Sequence, residues 1–136
     1  MANRSFFASV LIGLSIVIAP LTMADNGIKT QQVHFKKGES GATIKGKIKG
    51  DETLDYTIVA SKGQNMVVIL EGKPYFNVLP PNSNGEALFV GSTSGNNYEG
   101  ILPSSGTYTI RVYQMGAASD GGKTNSFKLD IGVSGK

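Results

Sequence analysis

Apolar and polar residues alternate through most of this chain. Tyr108, Ile110 and Val112 share one side of a two-residue repeat, with Thr107, Thr109, Arg111 and Tyr113 on the other. Such a repeat marks a half-buried strand. Ile44, Gly46 and Ile48 alternate in the same way with Thr43, Lys45, Lys47 and Lys49. Phe127, Leu129, Ile131 and Val133 alternate with Lys128, Asp130 and Gly132. Shorter runs at Val33–Lys37, Asp55–Ala60, Tyr75–Leu79, Ala87–Val90 and Tyr98–Leu102 read as further strands. Met66–Leu70 is continuously apolar and predicts a central strand covered on both faces.

Turn chemistry separates these runs. Breakers stand at Gly38-Glu39-Ser40-Gly41, Gly50-Asp51-Glu52-Thr53, Ser61-Lys62-Gly63-Gln64 and Pro80-Pro81-Asn82-Ser83-Asn84-Gly85. Gly91 to Asn97 predicts a small-polar loop, and Gly116 to Asn125 the longest low-complexity connection. Beyond the first 24 residues no stretch sustains a helical 3.6-residue apolar period. Eight or nine short strands, with turns about every 8 to 12 residues, predict an all-β fold: an antiparallel β-sandwich of jelly-roll or Greek-key type.

The N-terminus is different. Arg4 precedes a run from Phe6 to Ile18 that is apolar or small except for Ser9 and Ser15, and Thr22-Met23-Ala24 offers a small-x-small cleavage site. Residues 1–24 are therefore expected to be a secretory signal peptide cleaved after Ala24, the run being too short for a confident membrane span. Residues 25–136 then form one β-sandwich domain, opening on a loose lead from Asp25 to Gln31, with no membrane association after cleavage. Export with no cysteine at all implies a fold held by packing alone and suits a bacterial periplasm.

Charge and chemistry narrow the function. The formal net charge is +3 and loses one unit with Arg4, too little to argue for nucleic acid. One histidine, His34, and no cysteine leave no usual zinc or redox-metal cluster, and no metal or cofactor is expected. His34 alternates away from Val33 and Phe35 and reads as a solvated side chain, not the base of a nucleophile triad. The acids sit mostly in turns (Glu39, Asp51, Glu52, Glu71, Asp120) rather than paired across a cleft. The protein is expected not to be an enzyme. Lys45, Lys47 and Lys49 in register on one strand read as protection of an exposed edge, or as a basic strip that meets an acidic partner.

A binding module remains, with its contacts on loops or on one open face. The candidates are the Ser104–Tyr108 turn, the Gly116–Asn125 loop and the Gly50–Thr53 turn. The first two lie at opposite ends of one strand, so a single partner meets both only if its site runs along the sheet face. Tyr108 has two readings: it is a contact, or it belongs to the core and its phenol bonds back to its own turn as a tyrosine corner.

The chain resembles the small periplasmic lysozyme inhibitors that act on goose-type and invertebrate-type lysozymes. The resemblance rests on Phe35-Lys36-Lys37-Gly38-Glu39-Ser40, Gly46-Lys47-Ile48-Lys49-Gly50, and Tyr56 with Ala60-Ser61-Lys62-Gly63-Gln64. Its best marker is Leu102-Pro103-Ser104-Ser105-Gly106-Thr107-Tyr108, followed by Ile110-Arg111-Val112-Tyr113-Gln114. It implies a β-sandwich that blocks a host lysozyme's cleft, with Ser105, Gly106 and Tyr108, then Arg111 and Gln114, at the interface. The goose-type inhibitors of that family carry an Arg-rich segment after this strand. Here Gly116-Ala117-Ala118-Ser119-Asp120 stands in its place, which tilts the expectation toward an invertebrate-type target. The alternatives are a non-catalytic envelope- or carbohydrate-binding sandwich, similar to domains appended to secreted bacterial peptidases, and a subunit of a larger assembly. The sequence is silent on oligomeric state.

Overall fold

The computed structural model describes residues 16–18, 22–23, 27–35 and 40–135. Strands β1 (Ile16–Ile18), β2 (Thr22–Met23), β3 (Ile28–Phe35), β4 (Gly41–Lys49), β5 (Thr53–Ala60), β6 (Asn65–Gly72) and β7 (Tyr75–Leu79) come first. Then follow β8 (Phe89–Val90), the helical turn α1 (Gly91–Ser94), β9 (Asn97–Ile101), β10 (Gly106–Tyr113), the helical turn α2 (Gly116–Asp120) and β11 (Thr124–Ser134). One sheet runs β1-β3-β5-β10-β7-β8, with β2 also paired to β3; the other runs β4-β11-β6-β9. The expected sandwich is present, with nine strands from β3 onward.

The alternation places the core. Tyr56, Ile58, Phe76, Val78, Tyr108, Ile110 and Val112 point inward from the first sheet, facing Ile44, Ile48, Met66, Val68, Leu70, Leu129 and Ile131 of the second. Burial of such side chains contributes about 1.5–3 kcal/mol each before the entropy of ordering is subtracted. Tyr56 meets Phe127 edge to face at 6.4 Å. Phe76, Phe89 and Tyr98 form a chain of ring contacts at 5.1 and 5.5 Å that ties β7 and β8 to β9. Gly91 lets α1 settle onto this chain, because a Cβ there would collide with the Phe76 carbonyl oxygen.

The structure corrects the sequence reading at several points. The expected loose lead is partly strand: Ile28–Gln32 pairs with Thr53–Thr57, and this pairing is parallel, within a sandwich otherwise antiparallel among the described pairings. β6 is interior to its sheet but covered on one face only. Met66, Val68 and Leu70 are buried, while Val67 and Ile69 face outward and are half-buried. The two glycine-led connections contain single helical turns, too short to register as a period. The strand expected at Ala87–Val90 shortens to β8. Most of the expected signal peptide, its cleavage point after Ala24 and the Lys36–Glu39 stretch lie outside the described residues. Its two described pieces, β1 and β2, pair with β3. Among the described residues no helix is long and apolar enough to cross a membrane.

Candidate functional site

β10 carries Gly106, Tyr108 and Arg111, with Ser105 just before it and Gln114 just after it, and its two ends are built differently. At its start, the turn 102–105 is held by the turn 61–64. Leu102 donates its backbone N–H to the Gln64 carbonyl at 2.8 Å, and Gly63 donates to the Leu102 carbonyl at 2.9 Å. The backbone N–H of Lys62 donates to Ser105 Oγ at 2.8 Å. Ser105 is exposed, and its hydroxyl keeps its own proton to give to a partner. Gly106 has φ +147°, and a Cβ on it would stand 2.9 Å from the Pro81 ring. Three segments distant in sequence thus meet at one rim: Lys62, Pro81 and Ser105–Gly106.

Tyr108 is fully buried. Its phenol donates to the Ser104 carbonyl oxygen at 2.6 Å and receives the Ser104 N–H at 3.3 Å. This is the tyrosine-corner arrangement, in which the ring fills the core and the hydroxyl pins the turn. Tyr108 therefore has no surface to present to a partner. Its influence on the rim passes through Ser104 to Ser105.

Arg111 lies midway along the strand, on the outer face. It pairs in register with Asp55 of β5 and binds it through two hydrogen bonds, Nε to Oδ1 at 2.8 Å and Nη2 to Oδ2 at 2.9 Å. The Asp55 side chain is 10% exposed and that of Arg111 36%. Hydrogen bonding to Asp55, more than the charge itself, holds the guanidinium proton still more firmly than usual, against the opposing effect of burial. Beyond it, Tyr113 donates its hydroxyl to Asn77 Oδ1 at 2.8 Å and packs on Tyr75 with ring centres 5.8 Å apart. The outer face of β5-β10-β7 thus carries Asp55, Arg111, Asn77, Tyr113 and Tyr75, with the exposed Val59 toward the rim.

Gln114 turns inward at the far end and is buried. Its amide donates to the carbonyls of Gly50 (3.3 Å) and Lys123 (2.9 Å), and its carbonyl accepts from Asn125 Nδ2. It stitches the β4–β5 turn to the base of the α2 loop and, like Tyr108, supports the surface without forming it. Nine residue steps along the chain separate Ser105 from Gln114, about 30 Å at about 3.3 Å per step. The structure brings together Ser105 and Gly106, sets Arg111 on the face below them, and leaves Gln114 at the other end. A hollow of about 410 Å³ lies beside it, lined by Lys73, Tyr75, Met115 and Lys123 among others. α2 itself carries no basic residue.

Sequence reasoning missed Asp55, Asn77, Lys62 and Pro81. Asp55 had the parity of an outward residue, opposite to Tyr56 and Ile58, and that was a usable signal. Its meeting with Arg111 depends on the β5–β10 register, which parity alone does not set. Among the described residues no three His, Cys, Asp or Glu side chains gather as metal ligands would.

No family model matches the chain. An inhibitor of g-type lysozyme from Escherichia coli (strain K12) is 32% identical over 108 residues, 77% of this chain and 81% of that protein. The crystal structure of the Aeromonas hydrophila periplasmic inhibitor of g-type lysozyme superposes with a TM-score of 0.74 at 36% identity, covering 79% of this chain and 97% of that one. The Salmonella Typhimurium inhibitor of g-type lysozyme gives 0.63 at 26% identity, covering 77% and 97%. All three are named for g-type lysozyme, so the tilt toward an invertebrate-type target finds no support in them, and neither does a domain of the peptidase-appended kind. The periplasm is the compartment of these inhibitors and of this chain. On the identity and coverage of these relatives, together with the shared sandwich, the chain belongs to the family of periplasmic lysozyme inhibitors.

Proposed function

We propose that this protein is a non-catalytic inhibitor of a g-type (goose-type) lysozyme, and that residues 1–24 are a signal peptide removed on export. Three relatives named for that activity support the target class. The observation that carries the mechanism is the Ser105 turn, exposed yet clasped by the neighbouring turn and pinned from below by Tyr108. A lysozyme cleft holds catalytic carboxyl groups. The Ser105 hydroxyl is a neutral donor that meets such a group at little desolvation cost, and a turn already ordered loses little entropy on insertion. Gly106 keeps the turn low against Pro81. Arg111 meets the lysozyme surface below the turn with its charge already matched by Asp55, so it contributes a fixed planar donor rather than a free cation. Tyr108 and Gln114 position the two ends.

The test is the rate at which goose-type, invertebrate-type and chicken-type lysozymes clear a suspension of bacterial cell walls, with and without the protein. Slowed clearing by the goose-type enzyme, relieved by Ser105→Ala without loss of fold, is expected. Undiminished clearing by all three enzymes at micromolar protein overturns the reading.

A further inference from the structure

The outer face of the second sheet, β4-β11-β6-β9, is turned away from Ser105 and Arg111 and has no part in the function proposed above. It carries a compact basic patch. Lys45, Lys47 and Lys49 project from β4 at alternate positions, about 6.5–7 Å apart along the strand. Lys128 of β11 stands directly opposite Lys45 in the register. Like charges directly opposite one another on neighbouring strands are destabilising, and Glu71, 3.3 Å from Lys128, offsets only part of this. Among the described residues neither Lys45 nor Lys47 has an ion-pair partner. Protection of an edge accounts for lysines on β4, the outermost strand of its sheet. It does not account for Lys128, which lies on an interior strand.

Between these lysines runs a shallow groove of about 570 Å³, lined by Lys45, Lys47, Lys128, Glu71 and the backbone of Gly46 and Gly72 among others. Its single aromatic neighbour, Phe127, is turned into the core and 5% exposed. The groove therefore offers no ring on which a nucleic-acid base would stack and no exposed aromatic or arginine anchor of the kind that dominates protein interfaces. It does offer three lysines, Lys45 and Lys47 two positions apart along β4 and Lys128 across from Lys45, against the one carboxylate of Glu71, on an open surface.

We infer that this face holds an extended anionic glycan, a polysaccharide bearing carboxylates or phosphates at intervals near the lysine spacing. The lysines meet its charges one by one, and the sugar backbone lies over the glycine-lined floor without being read. The protein is then retained at an anionic envelope polymer by one side of the sandwich while the opposite side stays open.

The test measures binding of the protein at low and moderate salt to polygalacturonate (carboxylates), to a phosphomannan (phosphates) and to neutral dextran. Binding to at least one charged polymer, absent with dextran and weakened by salt as expected for screened surface charge, is the expected result; the polymer preferred identifies the anion. Lys45→Glu with Lys47→Glu and Lys128→Glu should weaken that binding at least tenfold. Lys62→Glu with Lys73→Glu and Lys123→Glu, the same change in net charge placed elsewhere, should alter it no more than about threefold. The neutral set Lys45→Gln, Lys47→Gln and Lys128→Gln, whose melting temperature is checked first, should also lose binding. No binding to either charged polymer, or equal loss in the patch and control variants, overturns the inference.

Discussion

Replacing Tyr108 by phenylalanine removes one oxygen atom and leaves the ring in place. The core keeps its packing, so no cavity forms and apolar burial hardly changes. What goes is the hydroxyl that donates to the Ser104 carbonyl at 2.6 Å and receives the Ser104 N–H at 3.3 Å. A net hydrogen bond is worth about 0.5–1.5 kcal/mol, and a backbone group left without a partner adds about 1 kcal/mol or more where water does not reach it. Since Ser104 is only partly buried, water replaces part of the loss, and the expected destabilisation is about 1–2 kcal/mol. For a domain of this size that corresponds to a fall in melting temperature of about 4–10 °C. Ser105→Ala, by contrast, removes an exposed acceptor whose donor, the Lys62 N–H, turns to water, and should cost under about 0.5 kcal/mol. The two substitutions should thus separate along two axes. Tyr108→Phe lowers the melting temperature and leaves most lysozyme inhibition at 25 °C, while Ser105→Ala does the reverse. Calorimetry or circular-dichroism melts, run beside the clearing assay, measure both. If Tyr108→Phe melts within about 1 °C of the parent, the phenol does not pin the turn. If Ser105→Ala melts as low as Tyr108→Phe, Ser105 is part of the clasp rather than a surface group.

Gly106→Ala should cost about 1–2 kcal/mol and weaken inhibition, since φ is +147° and the new methyl group would press on Pro81; an unchanged melt would show that the rim gives way freely. Arg111→Ala leaves the Asp55 carboxylate nearly buried without its partner and should destabilise by about 2–3 kcal/mol, whereas the double change with Asp55→Asn should recover part of the loss in urea unfolding. Failure of the double variant to recover anything would mean that the pair is not coupled. Burial pushes the Tyr56 hydroxyl up to about 12. The unfolded chain ionises this group from about pH 10 and the folded one does not, so stability should be unaffected below that pH and fall as pH rises from about 10 toward 12. Absorbance titration should show at least one tyrosine ionising late or only with unfolding, since burial also raises Tyr98, and Tyr56→Phe should lessen the alkaline decline.

Strand positions were legible in the sequence because alternation and breakers are local. Ile44 and Ile48, or Phe127, Leu129 and Ile131, declare their inward face without knowledge of the partner strand. The parallel contact of Ile28–Gln32 with β5 was not legible. The segment Ile28-Lys29-Thr30-Gln31 has one apolar residue in four, and its place is set by backbone pairing rather than by burial of its side chains. The site divides in the same way. Ser105 and Gly106 could be marked as a turn from their own chemistry. Tyr108 could be read as a contact or as a tyrosine corner, and its bond to Ser104 decides for the corner, whereas the supporting role of Gln114 needed the identity of its acceptors, Gly50 and Lys123. The Arg111–Asp55 pair needed a register joining residues 56 positions apart.

The place of β11 has a consequence for when this protein can fold. It lies between β4 and β6, and among the described strands β4 has no other neighbour in its sheet. Until Thr124–Ser134 is available, β4 has nothing to pair with, Ile44 and Ile48 lack the sheet that orients them, and Phe127 does not reach Tyr56. Pairing β4 therefore requires contacts between early and late residues, which makes closure slow compared with a fold of local hairpins. In this topology β11 closes the sandwich, so a chain that still lacks Thr124–Ser134 leaves β4 without the strand that joins it to β6.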